Sequence, residues 1–265
     1  MDIELTRLGE AIRKAGARAL DLARLGFEVR TKRDRSPVTT ADLEVNRLLR
    51  EMQQDHFPED GWLSEESPDD PERLTKTRVW IVDPIDGTKA YVNRLPEFCI
   101  SVALIERGQP VLGAIFNPST DELFTAVKGR GLSLNGRPLS PSPPQDSIAL
   151  MMVSPREFRN GRWAGLDGSV QCRPMLSIAN ALALVAAGRV QAALTIEPEN
   201  EWDLAAGALL IEEGGGRVTD ATGKPLSFNQ PTPRLDGVLA VSSSAAKGFH
   251  ALALAHADRA RFRKG

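Results

Sequence analysis

The sequence predicts a mixed α/β protein, and three patterns along its 265 residues support this fold class. Near the N-terminus, apolar residues recur at spacings of three and four, which is typical of amphipathic helices. Strand-like runs joined by short polar turns follow, and such connections indicate antiparallel pairing. Beyond a proline-rich stretch at residues 141–144, helical and strand-like runs alternate. We therefore expect an antiparallel sheet with helices packed against it, followed by a second α/β unit.

Two amphipathic helices are predicted first. The apolar positions of the first extend from Leu5 to Leu25, and Gly26 ends it. The second has its apolar face between Val45 and Met52. Because Asp42 lies three residues before Val45, we expect its side chain to project toward the core from the first helical turn.

A buried strand at residues 79–82 then leads into the turn-forming motif DPIDGT at residues 83–88, after which a short helix is expected to begin. Further strands and a hairpin turn are predicted at residues 98–105, 111–116, 122–127 and 135–136.

We place a domain boundary in the proline-rich stretch, because its composition is typical of a linker. Residues 1–140 then form an N-terminal domain with the metal and phosphate site, and residues 145–265 form a C-terminal α/β domain that contributes Asp203. The strands and helices predicted in the second domain lie at residues 148–153, 177–187, 190–195, 202–213, 217–219 and 238–241, before a closing helix.

The charge and the apolar runs exclude several classes of protein. Lys and Arg total 33 and Asp and Glu total 35, a net charge of −2, so no basic field indicates binding to nucleic acid polymers or anionic membranes. The longest apolar run is far shorter than the roughly 20 residues of a membrane-spanning helix, and the N-terminus lacks a signal-peptide segment, so we expect a cytoplasmic protein. Cys99 and Cys172 lack CxxC spacing, which favours buried thiols over a disulfide or zinc.

Acidic residues stand where an ordinary fold would not need them, namely Glu65, Glu66, Asp83, Asp86 and Asp203. Carboxylates that converge repel one another and stay ionised together only if cations neutralise them. Oxygen ligands without nearby His or Cys favour Mg²⁺ over zinc. Two such ions about 4 Å apart are a known device for phosphoryl transfer, so these acids predict cleavage of a phosphate ester.

The residues after the DPIDGT acids suggest how phosphate and water are handled. The backbone N–H groups of Gly87 and Thr88, at the start of a helix, can point at a phosphate. If Asp42 reaches the Thr88 hydroxyl, the pair can orient the attacking water and accept its proton.

Each feature also has an ordinary interpretation when taken alone. Asp83 and Asp86 suit a turn, and Asp42 and Asp203 suit helix N-termini. Glu65 and Glu66 stand in a charged segment typical of a solvated loop. Their combination favours a site.

Four stretches resemble the inositol monophosphatase superfamily of Mg²⁺-dependent, lithium-sensitive phosphatases: SPVTTAD (36–42), LSEES (63–67), WIVDPIDGTKAYVNRLPEF (80–98) and EWDLAAGALLIEEGGGRVTD (201–220). The resemblance implies a layered α/β/α/β/α sandwich, commonly a homodimer, that binds two or three Mg²⁺ ions and acts on a small phosphorylated metabolite. It implies metal ligation by Glu65, Asp83, the carbonyl of Ile85, Asp86 and Asp203. It assigns catalytic roles to Thr88, Asp42 and Glu65, and substrate contacts to Asp86, Gly87, Thr88, Asp203 and Lys32.

Within the superfamily, SPVTTAD, DGTKAYV and ISVALIERGQPVLGAIFNP look more like the 3′(2′),5′-bisphosphate nucleotidases than like inositol phosphatases. Two features of many nucleotidases are missing: the Lys of a Ser-x-Lys group, where this chain reads Ser177-Ile178-Ala179, and a Tyr-Pro-Arg before the WD motif. We expect hydrolysis of the 3′-phosphate of adenosine 3′,5′-bisphosphate. Inositol 1-phosphate is an alternative substrate, and a catalytically idle scaffold or phosphometabolite-binding protein is an alternative of another class.

The basic loop at residues 30–35 has two interpretations. Clustered charges are typical of a solvated connection. Alternatively, the loop folds over the site, and Lys32 and Arg33 bind a second phosphate in place of the missing Lys.

Overall fold

The computed structural model describes residues 1–32, 36–142, 149–163, 170–245 and 247–262, with only the backbone at residues 260–262. Several residues that carry predictions lie outside these ranges: Arg33, Asp34 and Arg35 of the basic loop, Pro143 and Pro144 of the proline-rich stretch, and Ile148 at the start of a predicted strand. The domain boundary therefore stays a prediction.

The described residues form the following elements. The helices are α1 (Asp2–Leu25), α2 (Thr40–His56), α3 (Thr88–Val92), α4 (Pro155–Arg159), α5 (Ile178–Ala186), α6 (Glu201–Glu213) and α7 (Phe249–Phe262), with a 3₁₀ helix at Pro71–Thr75. The first strands are β1 (Val29–Thr31), β2 (Pro37–Thr39), β3 (Gly61–Ser64), β4 (Arg78–Asp86), β5 (Cys99–Glu106), β6 (Gln109–Asn117), β7 (Glu122–Val127), β8 (Leu132–Leu134) and β9 (Arg137–Pro138). The remaining strands are β10 (Ala149–Val153), β11 (Val170–Pro174), β12 (Ala192–Thr195), β13 (Glu199–Asn200), β14 (Arg217–Thr219), β15 (Arg234–Leu235) and β16 (Val238–Val241).

The larger sheet has the strand order β3-β4-β5-β6-β7-β8-β9. Its neighbours from β4 onward pair antiparallel, as their short connections predict. Strand β3 was not predicted from the sequence and pairs parallel with β4, with Ser64 opposite Val82. The second sheet has the order β11-β10-β12-β16-β14, and both neighbours of β10 are parallel to it.

The elements stack in five layers. Helices α1 and α2 bury Leu8, Ile12, Val45 and Leu49 against one face of the larger sheet. Helices α5 and α6 fill the space between the two sheets, and α7 covers the outer face of the second sheet. The layers therefore follow the expected α/β/α/β/α order.

Helices α5 and α6 are apolar around most of their circumference because both of their sides are buried. Small residues let them approach closely, and a Cβ at Gly207 would lie 2.5 Å from a Leu182 methyl carbon. Both helices begin at the same edge of the larger sheet, where the acidic residues gather. Among the described residues, no helix is both long and apolar enough to cross a membrane.

Candidate active site

Asp83 and Asp86 end strand β4 and share one side of it because of a bulge. Residues three positions apart face opposite sides of a regular strand. Here Asp83 is opposite Ser101 and Asp86 is opposite Cys99, so β4 contains one residue more than β5 over this stretch. Pro84 lies within the bulge, where its lack of an N–H costs no hydrogen bond between the strands. The DPID sequence thus turns both carboxylates toward the same space.

Helix α6 brings the third carboxylate. Asn200 and Asp203 form a capping box, in which Asp203 Oδ2 accepts a hydrogen bond from the Asn200 N–H at 3.0 Å. The Ser101 hydroxyl, opposite Asp83 in the sheet, donates to the carbonyl of Trp202 at 3.2 Å. Carboxylate oxygens of Asp83, Asp86 and Asp203 consequently lie within 4.8 Å of one another.

Glu65 follows strand β3, whose parallel pairing with β4 places it beside these acids. Its N–H donates to the carbonyl of Val82 at 3.2 Å, one residue before Asp83. Its Oε1 accepts a hydrogen bond from Lys32 Nζ at 2.7 Å, and the same ammonium lies 2.5 Å from Glu66 Oε1. Lys32 follows strand β1 directly, so the pairing of β1 with β2 positions its ammonium beside Glu65.

The raised pKa values of the clustered carboxylates indicate that a cation is needed to keep them ionised together. Burial raises the pKa of Asp83 and of Asp203 well above the ordinary range, and the neighbouring carboxylates raise both further. Burial also raises the pKa of Asp86 to about 6, although hydrogen bonds from Ser177 and Ala179 oppose the rise. Divalent cations with a preference for oxygen, such as Mg²⁺, fit this donor set, because they relieve the repulsion that burial strengthens.

Asp86 is also held from the opposite side. Its Oδ2 accepts hydrogen bonds from the Ser177 hydroxyl and the Ala179 N–H, both at 2.6 Å. Ser177 is the N-cap of α5, so these bonds fix Asp86 at the N-terminus of that helix.

Thr88 and Asp42 form the predicted pair. Thr88 Oγ1 lies 3.2 Å from Asp42 Oδ1 and 3.1 Å from the carbonyl oxygen of Ile85. The other carboxylate oxygen of Asp42 caps α2, where it accepts from the N–H of Thr39 at 2.8 Å. Burial raises the pKa of Asp42, which makes its carboxylate a better proton acceptor. The capping role and the contact with Thr88 therefore coexist, one on each oxygen.

Gly87 allows the chain to turn sharply between Asp86 and α3. Its φ is 90°, in the left-handed region that favours glycine. A Cβ there would lie 3.0 Å from the Glu97 carbonyl oxygen and from Ser177 Cβ. Its N–H and that of Thr88 stand at the start of α3, as the sequence predicts.

The structure thus gathers Asp42, Glu65, Asp83, Ile85, Asp86, Gly87, Thr88 and Asp203 at one edge of the larger sheet, with Lys32 beside Glu65. The sequence analysis considered Ser177 only in comparison with the Ser-x-Lys group and did not predict its bond to Asp86, because Ser177 looks like any helix N-cap. It also passed over Glu199, whose pKa is raised to about 8 by burial and by the charge of Asp86. The signal for Glu199 was the run of acids directly ahead of Asp203.

Comparisons with known proteins identify relatives over most of the chain. A family model described as the inositol monophosphatase family matches residues 3–260. The inositol-1-monophosphatase of Bacillus subtilis is 34% identical over 226 residues, which cover 82% of this chain and 85% of that protein. The 3′(2′),5′-bisphosphate nucleotidase CysQ of Escherichia coli K12 is 32% identical over 211 residues, covering 78% and 85%.

A solved structure gives the same result for the fold. The IMPase of Thermotoga maritima superposes with a TM-score of 0.83 at 27% identity, covering 98% of each chain.

Proposed function

Because this chain belongs to the inositol monophosphatase family, whose members are phosphoric monoester hydrolases that act on small phosphorylated substrates, we propose that it hydrolyses the 3′-phosphate of adenosine 3′,5′-bisphosphate with Mg²⁺. The convergence of Asp83, Asp86 and Asp203 beside the Thr88–Asp42 pair carries the proposal. The family is metal-dependent, typically on Mg²⁺, and the donor set fits that ion.

We assign the ligands as the carboxylates of Glu65, Asp83, Asp86 and Asp203 and the carbonyl of Ile85, for two or three ions. When bound, the ions supply positive charge that stabilises the transferring phosphoryl group and the leaving oxygen. The Lys32 ammonium, which bonds Glu65 in this structure, must give way or share that carboxylate when an ion binds.

The Thr88 hydroxyl and Asp42 handle the proton. Thr88 donates to Asp42 Oδ1 and has lone pairs with which to accept a hydrogen bond from a water. A proton leaving that water passes to Thr88 while the Thr88 proton moves to Asp42. The buried and raised-pKa carboxylate of Asp42 is suited to accept it. The N–H groups of Gly87 and Thr88 bind the phosphate oxygens.

Two features support a bisphosphate substrate: the likeness to the nucleotidase CysQ, and the position of Lys32 next to the acids, from which its ammonium can reach a second phosphate. The likeness to the Bacillus inositol-1-monophosphatase favours inositol 1-phosphate as a second candidate.

A turnover screen tests the proposal. Purified protein with Mg²⁺ is incubated with adenosine 3′,5′-bisphosphate, inositol 1-phosphate and fructose 1,6-bisphosphate, and released phosphate is measured. We expect the highest kcat/KM on adenosine 3′,5′-bisphosphate. A higher value on inositol 1-phosphate would transfer the assignment to the second candidate. Absence of turnover on every ester, in protein that binds Mg²⁺, would favour an idle phosphometabolite-binding protein.

A further inference from the structure

Arg73 is a fully buried arginine outside the acidic cluster, with a relative exposure of 2%. Its Nε and Nη2 donate to the two carboxylate oxygens of Asp69 at 2.6 and 3.0 Å. The remaining donors reach a loop more than 150 positions away: Nη1 donates to Asn229 Oδ1 at 2.6 Å and Nη2 to the Gln230 carbonyl at 3.0 Å. A buried guanidinium with this many charge-assisted bonds holds its surroundings in one geometry.

The loop that accepts these bonds is held in turn by the first residue of α6. Glu201, which is fully buried, accepts from the Asn229 N–H at 2.6 Å and from the Gln230 N–H at 2.8 Å. Glu201 stands two residues before Asp203 in the same helical turn. The position of this loop and the position of Asp203 are therefore coupled.

On its other side, Arg73 is tied to the segment that carries Glu65. Its ion pair with Asp69 lies at the N-terminus of the 3₁₀ helix, four residues beyond Glu65 in the same connection, and its side chain packs on the start of β3. A Cβ built at Gly61 would lie 3.1 Å from Arg73 Cβ. Asn46 holds the same connection from α2 by donating to Ser67 Oγ at 3.0 Å.

We propose that Arg73 is a positioning residue that, through Asn229, Gln230 and Glu201, sets the placement of Asp203 relative to Glu65. The inference rests on the proposed function, since it takes these two carboxylates as ligands of one metal site. They come from different layers of the fold, β3 in a sheet and α6 between the sheets. The network is a polar connection between residues 69–73, which follow Glu65 in the chain, and the first turn of α6, which carries Asp203. Groups that orient metal ligands in this way tune metal affinity without touching the ion.

Asn229→Gly tests the inference with little disturbance of the backbone. Asn229 has a φ of 59°, which glycine adopts readily, and its N–H bond to Glu201 is retained in the variant. Only the side-chain link to Arg73 is lost. We expect the Mg²⁺ dissociation constant, measured by calorimetry on the full-length metal-free protein, to rise on the order of tenfold. The Mg²⁺ concentration that gives half-maximal phosphatase activity should rise by the same factor.

Asn135→Gly is a matched control. Asn135 also has a positive φ, 51°, and its Oδ1 accepts from an arginine, Arg13 Nη2, at 2.9 Å. It lies in the β8–β9 turn, where its side chain bonds Arg13, Leu123 and Asp121 outside the network, so its loss should lower the melting temperature while Mg²⁺ affinity stays at the wild-type value. Asn229→Asp keeps an acceptor for Arg73 and tolerates a positive φ, so it should bind Mg²⁺ within about twofold of wild type.

Unchanged Mg²⁺ affinity in Asn229→Gly, or equal weakening in Asn135→Gly, would reduce the network to a purely structural role. The proposed function would survive that result, because wild-type protein would still bind Mg²⁺ and turn over a phosphate ester. Wild-type protein that neither binds Mg²⁺ nor hydrolyses any ester would overturn the proposed function and this inference together.

Discussion

The hydroxyl oxygen of Thr88 lies 3.2 Å from Asp42 Oδ1, although the two residues are 46 positions apart in the chain. The contact joins the start of α3 to the first turn of α2. A hydroxyl can donate to one group and accept from another, so Thr88 can bond Asp42 and a water at the same time.

Thr88→Ala removes that hydroxyl and leaves the carboxylates of the cluster in place. We expect kcat to fall by roughly 10² to 10⁴, the usual contribution of assisted proton transfer, with nearly unchanged Mg²⁺ affinity. Steady-state kinetics and calorimetry measure the two effects separately. Thr88→Ser, which keeps the hydroxyl, should retain most of the activity. Loss of Mg²⁺ binding in Thr88→Ala would instead make Thr88 a structural residue.

Asp83→Asn should lower the activity without lowering the stability of the metal-free protein. The activity should fall on the order of 10³-fold or more, because an anionic group assigned as a metal ligand is lost. The metal-free variant should melt no lower than metal-free wild type, since the substitution removes a buried charge that its neighbours repel, and Asn Oδ1 can still accept from the Ile85 N–H. Scanning calorimetry in a chelator tests the second statement. A rate within about tenfold of wild type in excess Mg²⁺ would contradict the assignment of Asp83.

The raised pKa of Asp86, about 6 against an ordinary 3.8, predicts how stability depends on pH. Between these two pH values, Asp86 keeps its proton in the folded metal-free protein but loses it in the unfolded chain. The group therefore stabilises the folded state at low pH. That contribution is lost as the pH rises through about 6. Asp83 and Asp203 shift in the same direction.

In the proposed site Mg²⁺ binds the ionised carboxylates, so its stabilising effect should increase with pH. We expect the Mg²⁺-induced rise in melting temperature to be small at about pH 5 and large at about pH 8. Asp86→Asn, which cannot ionise, should weaken this dependence. A Mg²⁺ effect that is equal at both pH values in wild type would contradict the role of these acids.

Lys32→Ala, alone or with Arg33→Ala, tests the basic loop. If Lys32 pairs with a second phosphate, KM for adenosine 3′,5′-bisphosphate should rise by roughly 10- to 100-fold and KM for inositol 1-phosphate much less. Arg30→Ala is the control, because Arg30 is 71% exposed and pairs with Glu28 on the same hairpin. Equal changes in KM for both substrates would indicate that the loop is only a solvated connection, and would favour inositol 1-phosphate as the substrate.

Local patterns in the sequence were sufficient to predict much of this structure. The end of α1 at Gly26, the strand before DPIDGT and the first-turn position of Asp42 all depend on helical period, turn chemistry and capping, which act over a few residues. For Asp42 the sequence left two interpretations open. One carboxylate oxygen caps α2 and the other contacts Thr88, so the structure contains the cap and the contact that the catalytic interpretation requires, and the catalytic role stays a prediction.

Contacts between distant segments were not predictable in the same way. The parallel pairing of β3 with β4 places Glu65 beside Asp83, but a short apolar run does not reveal its partner strand. The Ser177 bond to Asp86 and the Arg73 bond to Asn229 join residues 91 and 156 positions apart. Cys172, expected to be buried, is only half-buried on edge strand β11. Such features depend on how the layers stack.

The capping boxes of α2 and α6 have a consequence for how this protein can change over evolutionary time. Both use an aspartate at the third helical position, Asp42 and Asp203. In most capping boxes this position is Glu or Gln, which is sufficient to stabilise the helix. Selection for folding would therefore accept Glu at either position, while one added methylene group would displace the carboxylate from the cluster. In descendants that no longer need the activity, we expect these two positions to drift to Glu or Gln, with an intact fold as the outcome.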